Sequence, residues 1–193
     1  MESKFFAVIS RMKYINRWSL MRNTITENIS EHSLEVAFIA HALAVMRNKR
    51  FGGNVNAERC ALLAMFHDTT EIITGDLPTP VKYYNKDIKT AYNEIEENAK
   101  NQLVSYLPED LRDEYEPLFC KTEKESELWK LVKAADKISA LIKCVEERQM
   151  GNNDFASAEK STYNAIKKLN VAEADMFLEE FMPSYLLTLD EQA

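Results

Sequence analysis

The chain has 193 residues, of which 46% are hydrophobic, and its formal net charge is −7. This length and composition predict a single domain, spanning 1–193, with a substantial core. Four glycines and five prolines are too few for the many turns of sandwiches, barrels and glycine-loop nucleotide folds, so an all-α helical bundle is expected. The negative charge argues against a nucleic acid polymer or an anionic membrane as a partner.

The cysteines Cys60, Cys120 and Cys144 are widely spaced and form no CxxC pair. This spacing predicts reduced thiols in a cytoplasmic protein, with an unpaired reactive thiol as the alternative. The apolar run in the first thirteen residues is too short and too interrupted for a signal peptide. No stretch is expected to be apolar over the length that a membrane span requires.

Apolar residues recur at helical spacing along most of the chain. Asn28 or Ser30 should cap the second helix and Asn56 the third. We expect the polar segments around Arg17 and Asp76 to be connecting loops. The predicted helices cover 4–14, about 29–47, 57–74, 88–106, 108–119, 125–151, 155–169 and 171–181.

The predicted helix 57–74 is apolar almost all round, yet it contains His67, Asp68 and Glu71. An uncompensated aspartate taken out of water costs several kcal/mol, so these groups must be neutralised, hydrogen-bonded or bound to a cation. Glu71 lies one helical turn past His67 and should reach whatever His67 contacts.

Two further groups are candidates for the same site. His32 and His41 lie nine positions apart on one helix and should face opposite ways. His32 is favoured because it lies beside a predicted loop, and His41 is interpreted as a hydrogen-bonded or surface residue. Asp136 lies among core positions of a later helix, although Lys133 and Lys137 are available as alternative partners.

Two histidines and two aspartates supply the mixed nitrogen and oxygen ligands that suit Mn, Fe, Co, Ni or Zn. Such a set leaves positions for water and substrate, which favours catalysis over a structural zinc. Local sequence favours a solvated Arg17 with Trp18 filling a core edge, although Arg17 also has the planar fork that matches a phosphate. Asp76 belongs either to the site or to an Asx turn.

These residues carry a resemblance to a known family. His32, then His67-Asp68, then Asp136 resembles the H…HD…D signature of the HD-domain metal-dependent phosphohydrolases. The longer segments 16–23, 27–34 and 67–82 closely resemble the bacterial 5'-deoxynucleotidases of that superfamily. The resemblance extends over nearly the whole chain, and the segment around Asp136 is its least distinctive part.

The resemblance implies hydrolysis of a deoxyribonucleoside 5'-monophosphate by a homodimeric helical protein with one divalent metal ion, Co, Mn or a similar transition metal. The implied metal ligands are His32, His67, Asp68 and Asp136. Glu71 is the first candidate for proton transfer and Asp76 the second. The implied substrate-binding residues are Arg17, Trp18, His32, Asp68, Asp76, Leu77, Pro78, Thr79 and Asp136.

Trp18 would orient the phosphate by packing or through its indole N–H. A second hypothesis is another reaction of the superfamily, on a cyclic nucleotide or a nucleoside triphosphate. A triphosphate should require more basic residues than Arg17 and Arg22 provide. A third hypothesis is a helical binding protein without catalysis, in which His67 and Asp68 form a buried hydrogen-bonded pair.

Overall fold

The computed structural model describes residues 2–82 and 84–193, and this part of the chain forms helices and no β-strand. The all-α prediction is confirmed. The α-helices are α1 (Phe5–Ile9), α2 (Ile29–Arg50), α3 (Ala57–Phe66), α4 (Glu71–Thr74), α5 (Thr79–Lys82), α6 (Lys86–Ser105), α7 (Glu109–Phe119), α8 (Ser126–Gln149), α9 (Ala156–Lys168) and α10 (Ala172–Glu180).

Helices α2 and α8 form the centre of the bundle. Helix α2 packs most extensively against α3 and α8, and α8 also packs against α9. Leu43 on α2 and Ile138 on α8 are fully buried, as the apolar periodicity of both helices predicts. The arrangement places the first turn of α2, the end of α3 and the middle of α8 close together.

The predicted helix starts are confirmed at two asparagines. Asn28 caps α2 by accepting hydrogen bonds from the N–H groups of Ser30 and Glu31, and the Glu31 carboxylate accepts from the Asn28 N–H in return. Asn56 caps α3 by accepting from the N–H of Arg59. These caps satisfy N–H groups that have no partner within the helix, so they define where each helix begins.

Backbone hydrogen bonds join the two ends of the segment between α1 and α2. Asn16 and Asn28 form an isolated antiparallel bridge, and the N–H of Arg17 donates to the carbonyl of Glu27 at 2.9 Å. The N–H of Ile29 donates to the carbonyl of Ile15 at 3.0 Å. We call residues 17–27 the entry loop, and its two ends are hydrogen-bonded to each other.

The prediction of one helix over 57–74 is wrong. Helix α3 ends at Phe66 and α4 begins at Glu71, with turns between them. The carbonyl of Phe66 accepts from both the N–H and the hydroxyl of Thr69, which diverts it from the helical pattern. His67 and Asp68 therefore lie in a turn. A smaller correction applies to the first helix, which tightens into a 3-10 segment at Ser10–Tyr14.

The apolar composition of α3 predicts a largely buried helix, and this is wrong on one face, because Leu62 and Met65 are exposed. Helix α4 ends at Gly75, whose φ of 72° lies in the left-handed region that favours glycine. The chain thereby changes direction immediately before Asp76.

Helix α2 is long and apolar enough to span a membrane by length and composition alone, contrary to the prediction that no segment would be. Its apolar window is 56% buried inside the protein, and the core helix of a bundle meets the same criterion. Cys60 and Cys144 are buried free thiols, as predicted, and burial raises the pKa of each to about 12. Cys120 is also free and is half-buried.

Candidate metal centre and phosphate site

The structure brings the four predicted ligands together from three parts of the chain. His32 comes from the first turn of α2, His67 and Asp68 from the turn after α3, and Asp136 from the middle of α8. The two imidazole rings lie 5.4 Å apart, centre to centre. His32, His67 and Asp68 each offer a ligand atom within 4.8 Å of the others, so these three residues could hold a metal ion. We call them the metal group.

The distances among the ligand atoms of His32, His67 and Asp68 fit a single ion, and Asp136 lies beside this group at His32. Oδ2 of Asp68 lies 3.1 Å from Nε2 of His67 and 3.5 Å from Nε2 of His32, and Oδ1 of Asp136 lies 3.3 Å from Nε2 of His32. An ion bonded to each ligand at about 2.0–2.2 Å holds neighbouring ligand atoms about 3.0–3.5 Å apart. Both Nε2 atoms are buried without a hydrogen-bond partner in the described structure, so metal binding would satisfy them.

The protonation of His67 is set by the backbone. Its Nδ1 lies 2.7 Å from the carbonyl oxygen of Ala64, which can only accept a hydrogen bond. Nδ1 therefore carries the proton, and in the neutral ring Nε2 carries a free lone pair directed at the metal group. The backbone geometry at the end of α3 thus prepares His67 as a ligand.

Burial and charge act differently on the two histidines. Burial, followed by the charge of Arg17, lowers the pKa of His32 and keeps the ring neutral. Burial also disfavours protonated His67, but the negative charge of Asp68, whose Oδ2 lies 3.1 Å from Nε2, outweighs it and raises the pKa of His67. Burial alone would raise the pKa of Asp68, yet the histidines lower it, so this carboxylate stays ionised.

Asp136 contacts both the metal group and a lysine. Its Oδ1 faces His32, whereas its Oδ2 accepts from Nζ of Lys137 at 3.0 Å. The predicted alternative, in which a lysine is the partner of Asp136, is therefore realised for one oxygen. The other oxygen remains directed at the site.

Arg17 lies in the site and is not solvated. Its side chain is 11% exposed, its Nη1 lies 3.5 Å from Oδ2 of Asp68, and its Nε donates to Oε2 of Glu27 at 3.1 Å. Burial alone would lower the pKa of Arg17, but the carboxylates of Asp68, Glu27, Asp136 and Asp76 raise it. The guanidinium therefore stays charged beside the metal group.

Trp18 is held by its polar atoms as well as by packing. Its indole N–H donates to Glu27 at 3.0 Å, and its ring lies 5.4 Å from that of Phe155. Glu27 accepts the indole hydrogen in this structure, which favours packing over the indole N–H as the way Trp18 would orient a phosphate. Trp18 also has a φ of 57°, an unusual value for a bulky residue, and its N–H lies 3.3 Å from Oδ2 of Asp76.

Glu71 is buried beside the metal group, and its Oε2 has no hydrogen-bond partner in the described structure. Burial, together with the charges of Asp68 and Asp76, raises its pKa to about 10, so the carboxyl is protonated at neutral pH without a metal. Burial also raises the pKa of Asp76. Through Trp18, Asp76 contacts the entry loop.

The remaining predicted residues follow Asp76. Leu77 and Pro78 are half-buried, and Thr79 is exposed at the start of α5. The contact between Asp76 and Trp18 brings this segment to the entry loop. His41 is exposed, as predicted from its spacing to His32.

Three polar residues that support the site were missed by the sequence analysis. Glu27 accepts hydrogen bonds from both Arg17 and Trp18. Ser139 and Glu35 continue the hydrogen bonding of His32 away from the metal group. Glu35 and Ser139 each lie three positions after a predicted ligand, one helical turn along α2 and α8, and this spacing was the available signal.

The fold is similar to solved structures of phosphohydrolases. An HD-domain phosphohydrolase from Listeria innocua superposes with a TM-score of 0.83 at 25% identity, covering 98% of this chain and 91% of that one. An HD phosphohydrolase of cyanophage S-2L, solved with dA and one catalytic Zn²⁺ ion, has a TM-score of 0.68 at 19% identity, covering 96% and 98%. The fold and the His/Asp group define an HD-domain phosphohydrolase.

Sequence comparisons identify a family within the HD-domain phosphohydrolases. The model of the 5'-deoxynucleotidase YfbR-like family matches residues 4–185. The 5'-deoxynucleotidase YfbR of Shigella boydii is 53% identical over 190 residues, which cover 98% of this chain and 96% of the relative. A 5'-deoxynucleotidase of Vibrio vulnificus is 50% identical over 190 residues, covering 98% of each. The chain belongs to the YfbR-like 5'-deoxynucleotidase family.

Proposed function

We propose that this protein hydrolyses deoxyribonucleoside 5'-monophosphates to a deoxynucleoside and phosphate, with one divalent metal ion held by His32, His67, Asp68 and Asp136. The observation that carries the proposal is the convergence of two buried, unpaired imidazole nitrogens on Asp68 within reach of Arg17. Membership of a family of phosphoric monoester hydrolases supports the same reaction. The family resemblance also leads us to propose a cytoplasmic homodimer of single-domain subunits.

The chain's own residues supply the binding of the phosphate. Arg17 carries a permanent charge and is held by Glu27, so its remaining N–H groups can bind phosphate oxygens without a large entropy cost. A bound divalent ion supplies Lewis acidity, which withdraws electron density from phosphorus and lowers the pKa of a water. We propose that Trp18 and the segment Asp76, Leu77, Pro78 and Thr79 form the nucleoside side of the site.

Glu71 is the better candidate of the two carboxyl groups for proton transfer. It is the more strongly buried, and its raised pKa provides a proton at neutral pH that could be passed to the leaving O5' oxygen. Asp76 accepts a hydrogen bond from the N–H of Trp18, which favours a role in holding the entry loop. We therefore assign proton transfer to Glu71 and the positioning of the entry loop to Asp76.

The position of Arg22 favours a monophosphate over a triphosphate. Arg22 is exposed on the surface, where it donates to both oxygens of Asp154 at 2.8 and 3.0 Å. Arg17 is thus the entry-loop arginine that faces the metal group. One guanidinium and one dication match the charge of a single phosphate better than that of three.

The test compares Arg17→Ala with Arg22→Ala. Each substitution removes one guanidinium from the entry loop, but Arg17 is buried beside Asp68 whereas Arg22 is exposed. Phosphate release is measured over a panel of deoxyribonucleotides and ribonucleotides with added Mn²⁺, Co²⁺ or Mg²⁺, and after chelation. We expect Arg17→Ala to lower kcat/KM by roughly a hundredfold, about 3 kcal/mol, and Arg22→Ala to match the parent.

Parent protein that releases phosphate equally well after chelation would contradict the metal-dependent mechanism. Equal effects of the two arginine substitutions would contradict the assignment of Arg17. Release from a cyclic nucleotide or a triphosphate, but not from a monophosphate, would favour the second hypothesis.

A further inference from the structure

The ring nitrogen of His32 that faces away from the metal group contacts a serine. Nδ1 of His32 lies 3.0 Å from Oγ of Ser139, and both residues are fully buried. Oγ of Ser139 donates to Oε2 of Glu35 at 2.5 Å. A serine hydroxyl has one proton, so a serine that donates to Glu35 must accept from His32. With Glu35 ionised, the three side chains form a hydrogen-bonded chain that runs from His32 through Ser139 to the carboxylate.

This chain fixes the proton of the His32 ring. When Ser139 accepts from Nδ1, the neutral ring has its lone pair on Nε2, which lies 3.5 Å from Asp68 and 3.3 Å from Asp136. Without the serine, the proton could move to Nε2 and the ring could rotate about its side-chain bond. Either change would remove the lone pair from the metal group.

We propose that Ser139 and Glu35 are positioning residues that hold His32 in the tautomer and orientation needed to bind the metal ion. The inference rests on the proposed function, because it concerns the same metal centre. A histidine ligand is commonly fixed by a hydrogen bond from its other nitrogen, and loss of such a partner typically costs a factor of about 10 to 100 in metal affinity.

The position of both residues on the central helices supports this role. Glu35 lies three positions after His32 on α2, and Ser139 lies three positions after Asp136 on α8. Each helix therefore presents a candidate ligand and a supporting residue from adjacent turns of one face. Because Ser139 is fully buried, a water from bulk solvent cannot simply replace its hydroxyl.

The chain offers a matched control at Ser33. This serine is adjacent to His32 and 3% exposed, and its hydroxyl has no hydrogen-bond partner in the described structure. Ser139→Ala and Ser33→Ala each remove one buried hydroxyl. The two substitutions differ in whether the lost hydroxyl was bonded to His32.

The experiment titrates metal-free parent, Ser139→Ala and Ser33→Ala with Co²⁺ and follows the visible absorption of the bound ion. We expect the dissociation constant to rise by about 10- to 100-fold for Ser139→Ala and to stay within about twofold of the parent for Ser33→Ala. Glu35→Gln, which keeps an oxygen that can accept from Ser139, should weaken Co²⁺ binding by severalfold and provides the test if Ser139→Ala does not fold.

A second readout is the histidine tautomer. The chain has three histidines, so ¹⁵N spectra of the metal-free protein can distinguish which nitrogen of His32 is protonated. We expect the proton on Nδ1 in the parent and in Ser33→Ala, and a mixture of tautomers in Ser139→Ala. A merely structural serine would lower the thermal midpoint without changing this signal.

The outcomes separate the two proposals. A parent that binds no Co²⁺ would overturn the proposed metal-dependent function. A parent that binds Co²⁺, with Ser139→Ala equal to Ser33→Ala in affinity and tautomer, would overturn the positioning role and leave the proposed function intact.

Discussion

Helix α8 contributes to two buried polar clusters that differ in how fully their polar atoms are hydrogen-bonded. Around Asp136, the nearby Nε2 atoms of His32 and His67 have no hydrogen-bond partner in the described structure. Eleven residues further along the helix, about 16 Å away, Glu147 is fully buried and accepts from four partners. These are the N–H groups of Thr24 and Ile25, the side-chain amide of Asn152, and Nζ of Lys143.

The difference shows how to interpret buried polar groups. At Glu147 the charge is matched and the hydrogen-bonding capacity is used, so this cluster attaches the entry loop to α8. Near Asp136 the unpaired nitrogens cost folding free energy that a bound ion would recover. Saturated clusters indicate structure, and unsaturated ones indicate binding.

His67→Ala should abolish metal retention, because the ring supplies one of the unpaired nitrogens. We expect kcat/KM to fall by on the order of a thousandfold, about 4 kcal/mol of transition-state stabilisation. Metal analysis of the purified protein and steady-state kinetics measure both effects, with His41→Ala as an exposed control. Normal metal content in His67→Ala would refute its assignment as a ligand.

Glu147→Ala should mainly affect stability, because it leaves Lys143 and two backbone N–H groups buried with fewer partners. Breaking such a pair typically costs about 3–5 kcal/mol, and we expect the thermal midpoint to fall by about 10 °C. Calorimetry compares this variant with Glu146→Ala, which removes an exposed carboxylate from the same helix. A Co²⁺ affinity that fell together with stability would remove the distinction between the clusters.

Glu71→Gln should stabilise the metal-free protein in a pH-dependent way. The pKa of Glu71 rises from 4.5 to about 10 on folding, so the unfolded chain releases this proton at a lower pH and the parent loses stability as pH increases from 4.5 towards 10. Glutamine has no proton to lose. We expect its advantage to be small at pH 5 and on the order of 2 kcal/mol at pH 8.

Thermal midpoints of the two metal-free proteins at pH 5 and pH 8 measure this difference. An advantage for Glu71→Gln that is the same at both values would contradict the protonated state of Glu71. Loss of turnover in the metal-loaded variant, with substrate binding preserved, would agree with a role for Glu71 in proton transfer.

Glu27→Gln should have the smallest effect, because an amide oxygen can still accept one of the two hydrogen bonds. We expect KM for the deoxynucleotide to rise by about tenfold, with a smaller change in kcat, since Arg17 and Trp18 lose their shared negative partner. Glu58→Gln, at an exposed position, serves as the control. A change confined to kcat would argue that Glu27 acts on the chemical step instead.

Most of the fold could be predicted from apolar periodicity. The bounds of α6 to α10 lie within about two residues of the prediction, because long amphipathic helices and their caps leave a clear pattern. The break between α3 and α4 could not be predicted this way. It depends on a local hydrogen bond from Thr69 to Phe66, and the apolar pattern continues across it.

The site was predictable where a residue conflicted with its surroundings. His67, Asp68 and Asp136 were recognised as polar residues in apolar helices. Glu27 was missed because a glutamate near a helix start is normally solvated or caps the helix. Ser139 was missed because a serine is small enough to be accommodated in a helix core and does not interrupt the apolar pattern. Their roles depend on which helices are neighbours, and this information is absent from local sequence.

The hydrogen bonds that join the two ends of the entry loop have an evolutionary consequence. Because Asn16 and Asn28 are paired at the base, the intervening eleven residues return the chain to where it left the bundle. Both ends of the loop carry fixed contacts, from Arg17 to Asp68 and from Thr24 and Ile25 to Glu147. Residues 19–22 lie between these contacts, so evolution can change the length and chemistry of this stretch while Arg17 and the helices keep their places.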